Sequence, residues 1–177
     1  MEKAGHKQLA LDRLKAFLDK NPNNETIRYT RGLIAAEMHL NTLAIEDLKR
    51  LYATSPDNID VKNALGYTLL SNIKDLDEGE ALIKKALFSK PDSPAIVDSM
   101  GWAHYQRRQF DAALPFFRFS YAAYLDGEII GHYILALFHA GKPDIAKRLY
   151  QLEHHYLPNQ EKIERIVAPI LPKLTEQ

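Results

Sequence analysis

Between residues 94 and 126 the chain places apolar and polar positions at helical spacing, in two stretches separated by a short polar turn. The first, 95–106, sets small and aromatic residues three and four apart. The second, 110–124, does the same around Ala113, Phe117 and Ser120. Residues so spaced share one face of a helix, so the stretch predicts a helix hairpin turning at Arg107, Arg108 and Gln109. A hairpin this small cannot bury its apolar face alone and needs copies of itself alongside.

The rest of the chain supplies them. At a period of about 34 residues, the pattern predicts full units over 25–58, 59–93, 94–126 and 127–160. The first carries Gly32, Ala44 and Pro56; the second Gly66, Gly79, Ala86 and Pro91. The third carries Gly101, Ala113 and Ser120; the fourth Gly141, Ala146 and Pro158. Upstream, Gly5, Ala10 and Pro22 fit the back half of a unit over 1–24, so a second helix without its first is expected there. Small residues are needed where the two helices cross, because a bulky side chain would hold the backbones apart. The prolines fall in the turns, where they cost no helical hydrogen bond. After Pro22, Pro56 and Pro91 come Asn24, Asn58 and Ser93, all good helix N-caps.

The tail, 161–177, reads differently. Ile163, Ile166, Val167, Ile170, Leu171 and Leu174 form an apolar stripe opposite Glu161, Lys162, Glu164 and Arg165. One amphipathic helix is expected, capping the array and stopping near Ala168 because Pro169 and Pro172 follow.

Composition narrows the function classes. Lys plus Arg equals Asp plus Glu, at 23 each, which argues against a nucleic-acid or anionic-membrane surface. The absence of cysteine removes disulfides, thiolate metal sites and cysteine nucleophiles. No apolar run approaches the roughly 20 residues of a membrane span, and the first residues show no signal-peptide pattern. Any signal or anchor would lie upstream.

Little in the sequence suggests catalysis. The glycines follow the repeat rather than forming a phosphate loop, and no HExxH pattern occurs. Glu153, His154 and His155 are adjacent, so their side chains diverge around a helix rather than converging on one ion. His132 and His139, two turns apart, read as polar surface positions, and Ser99 lacks a nucleophile elbow. No catalytic residue, metal site or cofactor is predicted.

The phase agreement of Leu65-Gly66-Tyr67, Met100-Gly101-Trp102, Ala113 with Phe117, and Gly141 with Ala146 and Tyr150 resembles the tetratricopeptide repeat (TPR) family. Departures are Gly79 and Ser120 in alanine slots, Ile134 in a glycine slot, and a long connection at 70–77. The resemblance covers residues 1 to 160 and implies an all-α, right-handed superhelical solenoid. More narrowly, Asn63 to Tyr67, the connection at 71–76, Asp98 to Trp102, and Gly131-His132 are similar to the C-terminal repeats of Gram-negative TPR outer-membrane lipoproteins. That similarity implies a periplasm-facing scaffold recruiting envelope proteins such as proteases. The lipid-bearing cysteine of those proteins has no counterpart here.

In such a solenoid the first helices line a concave face. Here they contribute Tyr29, Leu33 and Glu37; Asn63, Tyr67 and Ser71; Asp98, Ser99, Trp102, Tyr105 and Gln106; and His132, Leu135 and His139. Asn63, Asp98 and His132 fall at equivalent places, a polar ladder flanked by aromatic residues. Amides bond a ligand backbone in both directions, and Tyr and Trp are interface anchors that can equally pack between hairpins. The expected partner-binding residues are therefore Asn63, Tyr67, Asp98, Trp102, Tyr105, Gln106 and His132, taking a protein or extended peptide. Replacing Asn63 and Asp98 by Ala should weaken capture with little loss of thermal stability. A chaperone-type carboxylate clamp is not expected: of Tyr29, Leu33, Asn63, Ala64, Ala95 and Ser99, only Asn63 is of the right type. Two other classes stay open. One is self-association, including a homodimer, through Leu9, Leu14, Phe17 and Leu18 of the orphan helix. The other is a metal or catalytic centre around His132, His139 or His154.

Overall fold

The computed structural model describes residues 2–156 and 160–175, and within them every regular element is helical. The chain forms two compact units, Met1–Ser89 and Lys90–Gln177.

The first unit contains α1 (Glu2–Lys20), α2 (Glu25–Glu37), α3 (Asn41–Thr54), α4 (Ile59–Leu69), a 3-10 turn (Ile73–Asp75) and α5 (Leu76–Ser89). The turns set where the helices begin. Asn24 accepts a hydrogen bond from the Ile27 N–H at 2.9 Å, and Asn58 accepts from Asp60 and Val61. Each satisfies amide groups that a helix start leaves unpaired. Leu11 of α1 packs with Ala35 and Ala44, and the next layer joins Leu48, Leu51, Val61, Leu65, Leu69 and Leu82. The α4 and α5 backbones touch where they cross. A Cβ at Gly66 would lie 2.8 Å from the Gly79 carbonyl oxygen, and one at Gly79 would lie 2.7 Å from that of Gly66. Gly79, at a slot where alanine is usual, is what lets the helices close to that distance.

Asp47 of α3 lies inside the apolar stripe formed by Ala44, Leu48 and Leu51, and it is buried. Two arginines of α2 reach it. Arg28 Nη1 donates at 2.9 Å, while Arg31 donates through Nε and Nη2 at 2.6 and 2.7 Å. Arg28 also donates to the Pro22 carbonyl, tying the preceding turn to the same cluster.

The second unit contains α6 (Pro94–Gln106), α7 (Phe110–Ala123), α8 (Gly127–His139), α9 (Pro143–Tyr156), α10 (Gln160–Val167) and α11 (Leu171–Thr175). Its core gathers Ile130, Ile134, Leu137, Ala146 and Tyr150 from α8 and α9 with Ile163, Val167, Ile170 and Leu174 from the tail. The tail is two short helices where the sequence suggests one. α10 ends at Val167, ahead of Pro169, and the chain re-enters a helix at Leu171 because Pro172 then falls in a first turn, where it is tolerated. Lys162 of α10 lies 3.1 Å from both Asp126 and Glu128 at the start of α8. Pro158, expected to close the last hairpin, lies outside the described residues.

The hairpin turns repeat one backbone device: His39, Arg108 and Gly141 have φ of 58, 60 and 75°, the left-handed region. Only at Gly141 is the residue matched to that conformation.

Tyr121 of α7 donates to the buried Glu153 carboxylate of α9. Burial, then this bond, pushes the Tyr121 phenol from 10.0 up to about 12. A raised folded-state value means the contribution is complete below pH 10 and is lost as pH climbs from 10 through about 12. Thermal melts of wild type and Tyr121→Phe over that range should therefore converge. At neutral pH the variant should be less stable by about 1–2 kcal/mol, the loss of a hydrogen bond to a charged acceptor.

Candidate partner-binding face

Residues 98, 102, 105 and 106 recur on one side of α6, and 132, 135 and 139 on one side of α8. These helices pack against each other, and the two sides meet. His132 Nδ1 lies 2.9 Å from Asp98 Oδ2. The Trp102 indole stacks with the His132 ring at 4.1 Å and 19°, and with the Tyr105 ring at 4.6 Å and 7°. The Tyr105 hydroxyl reaches His139 Nδ1 at 3.0 Å, and that nitrogen is also 3.0 Å from the Leu135 carbonyl. When bare it accepts the tyrosine O–H; when protonated it donates to the carbonyl. The Phe110 ring stacks on His139 at 5.2 Å.

Asp98 and His132 are 5% and 2% exposed, so neither stands open to solvent as a polar ladder requires. The reason is their mutual bond, which lets two polar groups sit in the α6–α8 seam at less cost. It also alters the expectation for alanine at 98. Removing that carboxylate takes from a buried histidine the group that offsets its burial, so the melting temperature should fall. Trp102, Tyr105 and Gln106 are half-buried, with the Trp102 ring engaged in stacking inside the chain. On α4, Asn63 and Tyr67 are half-buried as well. Two buried side-chain atoms in the described residues have no hydrogen-bond partner, Asn63 Oδ1 and Asp98 Oδ1, on corresponding first helices.

Burial raises the Tyr105 phenol, and burial followed by Asp60 raises that of Tyr29. Ser99 donates back to the Ala95 carbonyl at 2.9 Å, so its hydroxyl is spent within its own helix. Among the described residues no group of three or more His, Asp or Glu side chains is placed to hold a metal ion. The His154 and His155 side chains lie outside the described residues. No described helix is long and apolar enough to cross a membrane.

Three polar contacts escaped sequence reasoning: the Arg28–Arg31–Asp47 cluster, the Lys162 bridge and the Tyr121–Glu153 bond. Asp47 alone carried a signal, as a charged residue in phase with Ala44 and Leu51.

The paired helices, small crossing residues and proline turns define a TPR-type fold, and comparisons agree. The chain aligns over 96% of its length with a thermophilic TPR protein, TTC0263, of Thermus thermophilus, at a TM-score of 0.78 and 19% identity, covering 93% of that structure. A tetratricopeptide repeat protein from Parabacteroides merdae matches 98% of the chain at a TM-score of 0.74 and 16% identity, over 70% of its own length. In sequence, the chain is 36% identical over 115 residues to the TPR repeat-containing protein PA4667 of Pseudomonas aeruginosa. That match takes in 65% of this chain and 20% of the relative, so the chain spans a small part of it. No family model matches the chain. TPR-type folds generally mediate protein–protein interaction.

Proposed function

We propose that the chain is a non-catalytic scaffold whose leading helices bind a partner protein or an extended peptide. In the second unit the binding face is the exposed edge of Trp102, Tyr105 and Gln106 around the Asp98–His132 pair. In the first it is Asn63 and Tyr67 on α4. The observation that supports this most directly is the run of half-buried Trp102, Tyr105 and Gln106 along one side of α6, large amphipathic and polar side chains of the kind that anchor interfaces. On the sequence resemblance to Gram-negative TPR lipoproteins alone, the scaffold would sit at the periplasmic side of an outer membrane and recruit envelope enzymes such as proteases.

Capture of crosslinked partners from native extract tests the reading. Asn63→Ala with Gln106→Ala should reduce recovery about tenfold, the effect of losing one or two useful contacts. The melting point should stay close to wild type, because both residues are half-buried. Unchanged recovery would overturn the assignment of this face.

A second reading has its own observation. On α1, Leu9 and Phe17 are 49% and 43% exposed, two turns apart on a helix whose other side packs on α2. Self-association through this side predicts a dimer by light scattering that Leu9→Lys with Phe17→Lys converts to a monomer.

A further inference from the structure

The closed pair behind the binding face has a role of its own. Asp98 and His132 are both buried, they join two helices that are not neighbours in sequence, and Trp102 lies flat against the histidine ring. We infer that Asp98 and His132 form a proton-operated latch between α6 and α8, and that its state sets the packing of Trp102.

The charged groups acting on the pair lie on α6, on α8 and its cap, and on α10. α6 supplies Asp98, α8 supplies Glu128 one turn earlier, and Asp126 caps that helix. α10 supplies Lys162, held between Asp126 and Glu128, and α7 brings the Phe117 ring to 5.8 Å. Burial works against the imidazolium, but Asp98 and then Glu128 outweigh it, and the His132 value is raised above 6.5. Burial likewise raises Asp98 above 3.8, although His132 pulls it back. Both shifts have one sign. The folded chain holds these protons more tightly than the unfolded chain does, so stability falls as pH rises. The histidine part is complete below pH 6.5 and is lost as pH climbs through the raised value. Beyond it, a neutral ring faces a buried carboxylate whose second oxygen also lacks a partner. An uncompensated buried charge of that kind favours loosening of the seam.

Trp102 is the one tryptophan of the chain, so its emission reports on this position. Imidazolium quenches indole more strongly than imidazole, and a looser seam relieves quenching too. Emission should thus rise with pH in one step. The test is a histidine Cε1–Hε1 NMR titration of the intact chain alongside a tryptophan emission titration. His132 should titrate above 6.5 with the same midpoint as the emission step. Asp98→Asn should move that midpoint down, and His132→Gln should abolish the step. A His132 midpoint at or below 6.5, or an emission step that survives in His132→Gln, would overturn the latch. The NMR titration of unaltered protein decides the matter even if a variant folds poorly.

Discussion

Replacing Asp47 by alanine should cost about 3–5 kcal/mol, the range for breaking a buried ion pair from one side. The residue is 1% exposed and takes three hydrogen bonds from Arg28 and Arg31. Without it, Arg28, itself buried, keeps only the Pro22 carbonyl, and two guanidinium groups face each other in the α2–α3 seam. Asp47→Asn retains two acceptor lone pairs but no charge, so it should fall between wild type and alanine. Urea denaturation of the three proteins checks the order. If the alanine variant is within 1 kcal/mol of wild type, the cluster contributes little and its arginines find other partners.

Gly66→Val is the other large effect. Its Cβ alone would meet the Gly79 oxygen and Ile83 Cγ1 at 2.8 Å, and the Ile83 backbone nitrogen at 3.2 Å. Backbone atoms cannot rotate away, so α4 and α5 must separate and open the layer of Leu65, Leu69 and Leu82. Overpacking of that kind costs about 3 kcal/mol, and in a chain this long the melting point should fall by on the order of 10 °C. Gly5→Ala is the control. Nothing lies within 4 Å of its Cβ position, and an exposed helical glycine gains about 0.5–1 kcal/mol on becoming alanine. A Gly66 variant that melts like wild type would refute the close crossing.

These two sites show what could be read in advance. The glycine crossings were legible because packing at a helix contact restricts residue size, and size is written in the sequence. The helix starts after Pro22, Pro56 and Pro91 were legible for a similar local reason, although Ser93 makes no side-chain cap bond where Asn24 and Asn58 do. Left-handed turn residues were legible only at Gly141; His39 and Arg108 hold the same conformation without advertising it. The candidate site was read less well. Periodicity correctly puts Asp98 and His132 on facing helices, but it cannot tell whether two polar residues greet solvent or one another. That depends on a 2.9 Å approach between residues 34 apart in sequence. The tail split for a reason that was visible, since Pro169 stops a helix and Pro172 can begin one.

The connection between α4 and α5 offers a practical handle. Asn72 folds over it, accepting from the Lys74 N–H and donating to Asp75, so the loop is braced by its own side chains. Ile73 projects from its tip, 80% exposed. A fluorophore or short epitope attached at that tip would ride on a braced loop without entering either helix. Distance measurements on the first unit could then start from a point whose position is known.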